Sequence, residues 1–208
     1  MDTDHIKIKN ISGENRRTNT FTDEQVKSML SYAKLDADPY TYFFILIGFQ
    51  TSMRHAEILK IKFEDFDYQN KGLLVPEAKA GQRSVPVHQS LLDVIAEEKR
   101  HRGVQTGYLF ASQSKTGHRT YMKKQFQRVL AAAGLKDTGL TPHSMRHTAI
   151  SKIMRSQISI SDAMVISGHK STQMLLHYTH HNSHGVRLGV SALADLTSEH
   201  NTAQVNQP

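Results

Sequence analysis

Apolar residues recur along most of this chain at the three-to-four-residue spacing of amphipathic helices, with one interruption in the middle. Residues 1–20 are polar and charged with little helical period, as in a linker or arm. Thr22, with Gln25 three positions on, has the form of a capping box, and Phe21 and Val26 occupy the flanking staple positions. A helix is therefore expected from there to about Leu35. Asp38-Pro39 opens a second helix, with Asp38 as N-cap and Pro39 at the first helical position. This helix holds the run Tyr42 to Phe49, apolar nearly all round, and is expected to be the buried central one. A short helix follows from about His55 to Ile61. The interruption comes next: short apolar pieces, Leu73–Pro76 and Arg83–Val87, lie between turn residues at Lys71-Gly72 and Ala80-Gly81-Gln82, the pattern of short strands. Helical spacing then returns. Ser90 is expected to cap a helix to about His101, and Tyr108–Ala111 to be extended. A further helix runs from Thr120 to Ala133 and stops at Gly134. Thr141-Pro142 starts another, to about Arg155. Shorter pieces cover Ser161 to Ser167, ending at Gly168, and Ser171 to about Tyr178, with an amphipathic stretch from Val186 to Leu196 and a frayed end beyond. The expected class is mainly α with a small antiparallel sheet (α+β). Its expected divisions are 1–20 (linker), 21–182 (folded domain) and 183–208 (C-terminal helix and tail).

Composition narrows the function. Lys plus Arg is 26 against 19 for Asp plus Glu in 208 residues, a formal charge of +7, and the isoelectric point is near 9.6. An anionic partner fits, and nucleic acid is the commonest one. The chain has no cysteine, which excludes disulfides, a thiol nucleophile and thiolate metal sites and fits a reducing compartment. Its longest apolar run, Tyr42 to Phe49, is far short of the roughly 20 residues that cross a bilayer. With no hydrophobic signal region at the start, no membrane partner is expected. The expected location is the cytoplasm, with the nucleoid when DNA is bound.

The candidate chemistry lies in short segments, each with an ordinary explanation when taken alone. In TPHSMRHT, His143 and Arg146 share one face at a helix start, where a phosphate would sit well or where a basic helix end would simply be solvated. Arg54, in TSMRHAEIL, has the side chain for two-pronged phosphate recognition, with Glu57 placed to hold it; the two could equally form a surface pair. Lys79, between the strands in PEAKAGQRSVP, could reach a groove from a hairpin tip or merely guard a sheet edge. His169 follows Gly168 in ISGHKST, and Tyr178 lies in LLHYTHH.

Taken together and in this order, Arg54, Lys79, His143, Arg146, His169 and Tyr178 resemble the catalytic set of the tyrosine recombinases, the phage integrase family. TSMRHAEIL resembles the box around the family's first arginine, PHSMRHT its His-x-x-Arg box, and SGHKST, nine residues before the tyrosine, its Gly-His box; Tyr-Thr-His at Tyr178 is also typical. The resemblance spans about residues 20–182. Ser52 and Met53 stand where the family most often has Gly and Leu, and Ser144 where it often has Asp. Family members usually carry a preceding helical DNA-binding domain, and this chain is expected to begin at the linker that follows it. The resemblance implies the catalytic-domain fold of the family and strand exchange on double-stranded DNA, by a homo-oligomer, a tetramer, assembled there. Tyr178 would form a 3′-phosphotyrosyl link. Arg54 and Arg146 would hold the non-bridging oxygens, His143 would serve as general base or added donor, His169 as donor, and Lys79 as general acid. No ATP, metal or other cofactor is implied. Arg146 is expected to face a phosphate rather than the core.

Outside that set, Lys115, Arg119, Lys123, Lys124 and Arg128 are candidate DNA contacts or a solvated helix face. Three other readings stay open. Histidines four apart (His143 and His147, His177 and His181, His180 and His184) could bind zinc, although the Glu of a zinc-protease motif is missing. The fold could also serve as a non-catalytic DNA-binding module, or as a type IB topoisomerase that relaxes DNA.

Overall fold

The computed structural model describes residues 19–75, 82–156, 158–176 and 178. In chain order its elements are α1 (Asp23–Lys34), α2 (Tyr40–Thr51), α3 (His55–Ile58), a 3-10 turn (Phe63–Asp65), β1 (Phe66–Asp67), β2 (Gly72–Val75), β3 (Arg83–Pro86), α4 (Gln89–His101), α5 (Lys123–Ala132), α6 (Pro142–Arg155), α7 (Ile160–Ser167) and α8 (Thr172–Leu176). The expected class is the observed one: helices around a three-stranded antiparallel sheet in the order β1-β2-β3.

Helix α2 is the axis of the core. Phe43, Phe44, Ile45, Leu46 and Ile47 are all buried, as an all-round apolar helix must be. It packs against α1, α5 and α6. The approach to α6 is close at Gly48, where an added Cβ would lie 2.6 Å from the Met145 methyl carbon. Helix α1 begins as its capping box prescribes: Gln25 N–H donates to Thr22 Oγ1 (3.2 Å) and Thr22 N–H donates to Gln25 Oε1 (2.9 Å). Phe21 is buried, and Val26 packs against the same core.

The start of α2 is tied across the fold. Regular helix begins at Tyr40, so Pro39 rather than the expected Asp38 holds the N-cap position, while Tyr40 N–H donates to Asp38 Oδ1 (3.1 Å). Arg119 also donates to the Asp38 carboxylate and stacks over Tyr40, 4.3 Å from the ring centroid. Arg128 donates twice to Asp36, at 3.0 and 2.7 Å, and Thr41 Oγ1–H donates to the same carboxylate. These two arginines, expected as DNA contacts, therefore have partners within the fold, joining α5 and the loop before it to α2.

Several boundaries depart from expectation for local reasons. His88, not Ser90, caps α4, because its Nδ1 accepts the Ser90 N–H at 3.2 Å. Helix α5 starts at Lys123 rather than Thr120, because Arg119 N–H is committed to Phe110 O and the Ala111–His118 bridge keeps the preceding segment extended. Helix α3 stops at Ile58; Lys60 and Ile61 N–H donate three residues back, tightening the chain into turns. Helix α8 ends at Leu176, and Tyr178 N–H donates to Leu175 O. The strand β1 was not foreseen, since two residues are too few to show alternation. In β2, Leu73 and Val75 point inward and Leu74 outward, and Leu73 pairs with both Phe66 and Val85. Lys79, the Val186–Leu196 stretch, and His177, His180, His181 and His184 lie outside the described residues.

A second, smaller apolar cluster joins α6, α7 and α8 through Ile150, Ala163 and Leu175, with Tyr178 packed at its edge. Among the described residues no helix is long and apolar enough to cross a membrane.

The aspartates at the start of α2 make stability depend on pH. The bonds from Arg128 hold the Asp36 carboxyl below its ordinary value of 3.8. Burial acts to raise Asp38, but the bonds from Gln125 and Arg119 outweigh it and lower it as well. Both groups stabilise the fold fully above that ordinary value and lose the contribution as pH falls below it. Thermal melting followed from pH 6 to pH 3 should fall steeply at the acid end, and the double variant Asp36→Asn, Asp38→Asn should show a flatter profile.

Candidate active site

The turn from α2 into α3 supplies the first arginine. Ser52 ends α2 in the left-handed conformation (φ 51°). A side chain there costs roughly 1 kcal/mol relative to glycine, which explains why glycine would suit this position better. The reversal brings Arg54 to the head of α3. Its N–H donates to Glu57 Oε2 (3.0 Å) and its Nη1 donates to Glu57 Oε1 (3.1 Å). The Arg54 side chain remains 36% exposed, whereas Glu57 is 9% exposed.

Arg83 on β3 completes this group and was missed in the sequence. It donates to Glu57 through Nη1 (3.2 Å) and Nη2 (2.9 Å), a two-pronged bond from the strand to α3. The only available signal was its place in a strand next to the hairpin, which many structural arginines share. Burial acts to raise the Glu57 carboxyl, but the bonds from Arg83 and from the Arg54 amide lower it on balance. Arg83 lies flush against Gly168: a Cβ there would be 2.6 Å from Arg83 Nε and 2.8 Å from Cζ. Gly168 also has φ 65°, so both conformation and space call for glycine.

Helix α6 supplies the second arginine. Its first turn is tied down by Thr141 N–H donating to Ser144 Oγ (3.1 Å). His143, Arg146 and His147 then follow on one face. Arg146 is only 4% exposed, which corrects the expectation that it stands clear of the core. Its Nη1 donates to the Ser52 carbonyl and its Nη2 to His169 Nε2 (3.0 Å). Burial first, and then the neighbouring Arg54, lower its pKa to about 10, so it remains a cation at neutral pH.

His169 is 9% exposed and follows the left-handed Gly168. A guanidinium can only donate, so Nε2 is the accepting nitrogen and the ring proton is on Nδ1. Nδ1–H donates to Ser167 Oγ (2.8 Å), and Ser167 Oγ–H donates to Ala163 O (2.6 Å). Every polar atom in the relay is thus paired. His169, expected as a donor to substrate, accepts from Arg146 here. Burial, and then the Arg146 charge, push it down to about 4, which keeps it neutral.

Tyr178 reaches the same face of α6. Its hydroxyl is hydrogen-bonded to His147 Nδ1, and the two ring centroids are 5.6 Å apart. His147 was noted in the sequence only as a possible zinc ligand with His143. The two rings stand edge to face, 4.3 Å between centroids. Burial, and then His143 and Arg146, lower His147 to about 4; burial raises the Tyr178 phenol against the pull of Arg146. His143 is exposed at the mouth, and desolvation of its ring followed by the charges of Arg146, His55 and Arg54 lowers it too. Among the described residues no group of three His, Asp or Glu side chains is placed to hold a metal ion.

Arg54, His143, Arg146, His169 and Tyr178 therefore meet in one place, with Glu57 beneath them. Lys123, Lys124 and Lys115 are exposed and join none of these contacts. A cavity of about 460 Å³ shares Glu57 with the site and is also lined by Met53, Lys62, Asp65, Tyr108 and His118.

The phage integrase family model matches residues 19–184. Tyrosine recombinase XerA of Pyrococcus furiosus is 27% identical over 162 residues, covering 77% of this chain and 56% of the relative. The transposase of transposon Tn916 from Enterococcus faecalis is 25% identical over 190 residues, covering 77% of this chain and 47% of the relative. The chain thus spans about half the length of these relatives. Among solved structures, the Tn1549 transposon integrase in complex with transposon right end DNA superposes with a TM-score of 0.70 at 20% identity, over 85% of this chain and 66% of that one. The catalytic domain of bacteriophage HP1 integrase gives 0.62 at 17% identity, over 83% and 93%. At these identities the likeness is one of fold.

Ser52 and Gly168, both left-handed, should respond to substitution in opposite ways. Ser52→Gly relieves the backbone and gives up one long bond from its hydroxyl to Ile166 O (3.4 Å), so denaturant unfolding should show a gain of up to about 1 kcal/mol. Gly168→Ala should lose about 1–3 kcal/mol, because it strains the turn and displaces Arg83.

Proposed function

The chain belongs to the phage integrase family, and we propose that it cuts and rejoins double-stranded DNA at specific sites through a 3′-phosphotyrosine at Tyr178. The observation that carries the proposal is the charge of the site: Arg54 and Arg83 share the carboxylate of Glu57, and the guanidinium of Arg146 lies close enough to feel all three, with no other carboxylate in this group among the described residues. The cluster is cationic and largely buried, which suits an anion. A phosphodiester carries one negative charge, and attack by a phenolate oxygen adds a second in the transition state. A site with excess positive charge stabilises the second state more than the first, which is what lowers a barrier.

The phenol needs this help. A free tyrosine titrates near 10, so ionising it at neutral pH costs roughly 4 kcal/mol. Tyr178 is held higher still by burial, so its proton must leave as the bond to phosphorus forms. In the proposed reaction Tyr178 Oη attacks phosphorus and the bond to the 5′-oxygen breaks. Arg54 and Arg146 hold the non-bridging oxygens, with His143 adding a donor at the mouth and His169 holding Arg146 in place. Lys79 would protonate the leaving 5′-oxygen. A 5′-hydroxyl from another strand then attacks the phosphotyrosine, which conserves bond energy, so neither ATP nor a metal is called on. The exposed Lys115, Lys123 and Lys124 would add phosphate contacts, making affinity fall steeply with salt. Assembly as a tetramer on DNA belongs to the same proposal.

The test is covalent trapping. The protein is mixed with supercoiled plasmid in EDTA, denatured with SDS and examined for a DNA-linked band. Wild type should give one, and Tyr178→Phe should bind DNA but give none; a band that persists in Tyr178→Phe, or one that needs a metal, contradicts the proposal. Arg146→Ala is expected to lose cleavage and also about 2–4 kcal/mol of stability, because it strands the Ser52 carbonyl and His169 without their partner. Arg146→Lys should therefore keep more of the fold while still losing at least 100-fold in cleavage, since one ammonium cannot make both bonds and meet a phosphate.

A further inference from the structure

The route by which the Tyr178 proton leaves is written in the contact with His147. We propose that His147, rather than His143, is the general base for Tyr178, an assignment that rests on the strand-transfer reading above. His147 Nδ1 is the one side-chain atom hydrogen-bonded to the Tyr178 hydroxyl among the described residues, whereas His143 lies a helical turn earlier and is exposed. The contact is fixed from both sides. Tyr178 is packed in the small cluster with Ile150, Ile153 and Leu175, and its N–H is bonded to Leu175 O. The His147 ring is held edge to face against His143.

The charged and titratable groups facing this pair are His143 and Arg146 on α6 and His169 after α7, whose charge would also act on His147. Arg146 disfavours a proton on His147 in the free protein and so keeps the imidazole in its accepting form. An incoming phosphodiester reverses part of that field by placing a negative charge against Arg146. The histidine thus becomes a better base only when there is a phosphate to attack. The step balances. The Oη–H bond breaks and the proton goes to His147 Nδ1, while the oxygen's electron pair forms the bond to phosphorus; the bond to the 5′-oxygen breaks with its electron pair on that oxygen, which takes its proton from the general acid of the strand-transfer reading above. In the return step, the incoming 5′-hydroxyl gives its proton to that same group as its oxygen bonds to phosphorus, and His147 gives its proton back to the departing Tyr178 oxygen.

Two measurements test the assignment. The first needs no DNA: histidine-selective 15N NMR of the full chain at pH 7 should show His147 neutral, with Nδ1 unprotonated and the proton on Nε2. A proton on Nδ1 would make His147 the donor to Tyr178 and overturn the proposal. The second uses nicked duplexes of randomised sequence, from which wild type selects by covalent capture those it cleaves; the captured sequences then serve as substrates. His147→Ala should cleave them about 100-fold more slowly or worse, with a rate that climbs as pH is raised from 7 to 9 while the wild-type rate changes little. His147→Asn, whose amide oxygen can accept the hydrogen bond but cannot carry a proton, should be equally slow. Rescue by Asn would reduce His147 to a positioning role, and a faster His147→Ala would mean that His147 parks the tyrosine; either result overturns the proposal. A substrate with sulfur in place of the bridging 5′-oxygen, which leaves without a proton, should not rescue His147→Ala; rescue would put His147 on the leaving-group side. If wild type captures no sequence at all, the strand-transfer reading fails, and the general-base role falls with it. Capture by wild type together with equal capture by His147→Ala sinks only the assignment of the base.

Discussion

The site depends on burying the guanidinium of Arg146. A cation taken out of water must be paired or solvated by dipoles, and among the described residues no carboxylate touches it. The Ser52 carbonyl and the lone pair of His169 take that role instead. Each of these acceptors imposes a demand of its own. Ser52 must turn left-handed to aim its carbonyl back at α6. His169 must hold its proton on Nδ1, which Ser167 and, behind it, the Ala163 carbonyl make possible. One buried charge therefore fixes the end of α2, the inner face of α6 and the turn after α7 relative to one another.

A second constraint runs through Glu57. It is the shared acceptor for Arg54 and Arg83, and it links α3 to β3. Gly168 brings the two groups together: with no side chain, it lets Arg83 pass directly beneath the turn that presents His169. The balance of charge is uneven, with more cations than anions drawn into one partly buried place. An arrangement of this kind is poorly satisfied until an anion arrives, and its excess charge is best used when that anion gains further negative charge.

The sequence made much of this legible, for identifiable reasons. Capping boxes and helix-breaking glycines act within a few residues, so α1 and the ends of α5, α6 and α7 could be placed closely. The central place of α2 followed from its all-round apolar pattern. The residues later found together, Arg54, Glu57, His143, Arg146, His169 and Tyr178, came from the family resemblance as well as from spacing. What the sequence hid were contacts across the fold. Arg83 resembles any strand arginine until Glu57 is opposite it. His147 resembles a turn-spaced partner of His143 until Tyr178 folds back onto it. Arg119 and Arg128 resemble free basic residues until Asp38 and Asp36, more than eighty positions away, claim them.

The central claim is that this cationic cluster serves a tyrosine that joins to DNA. Its most direct measurement is the identity of the linked side chain. The SDS-stable adduct would be digested with nuclease and protease, and the nucleotide-bearing peptide sequenced by mass spectrometry. The account predicts a nucleotide joined through its 3′-phosphate to Tyr178. A nucleotide on any other residue, or one joined through a 5′-phosphate, would contradict it.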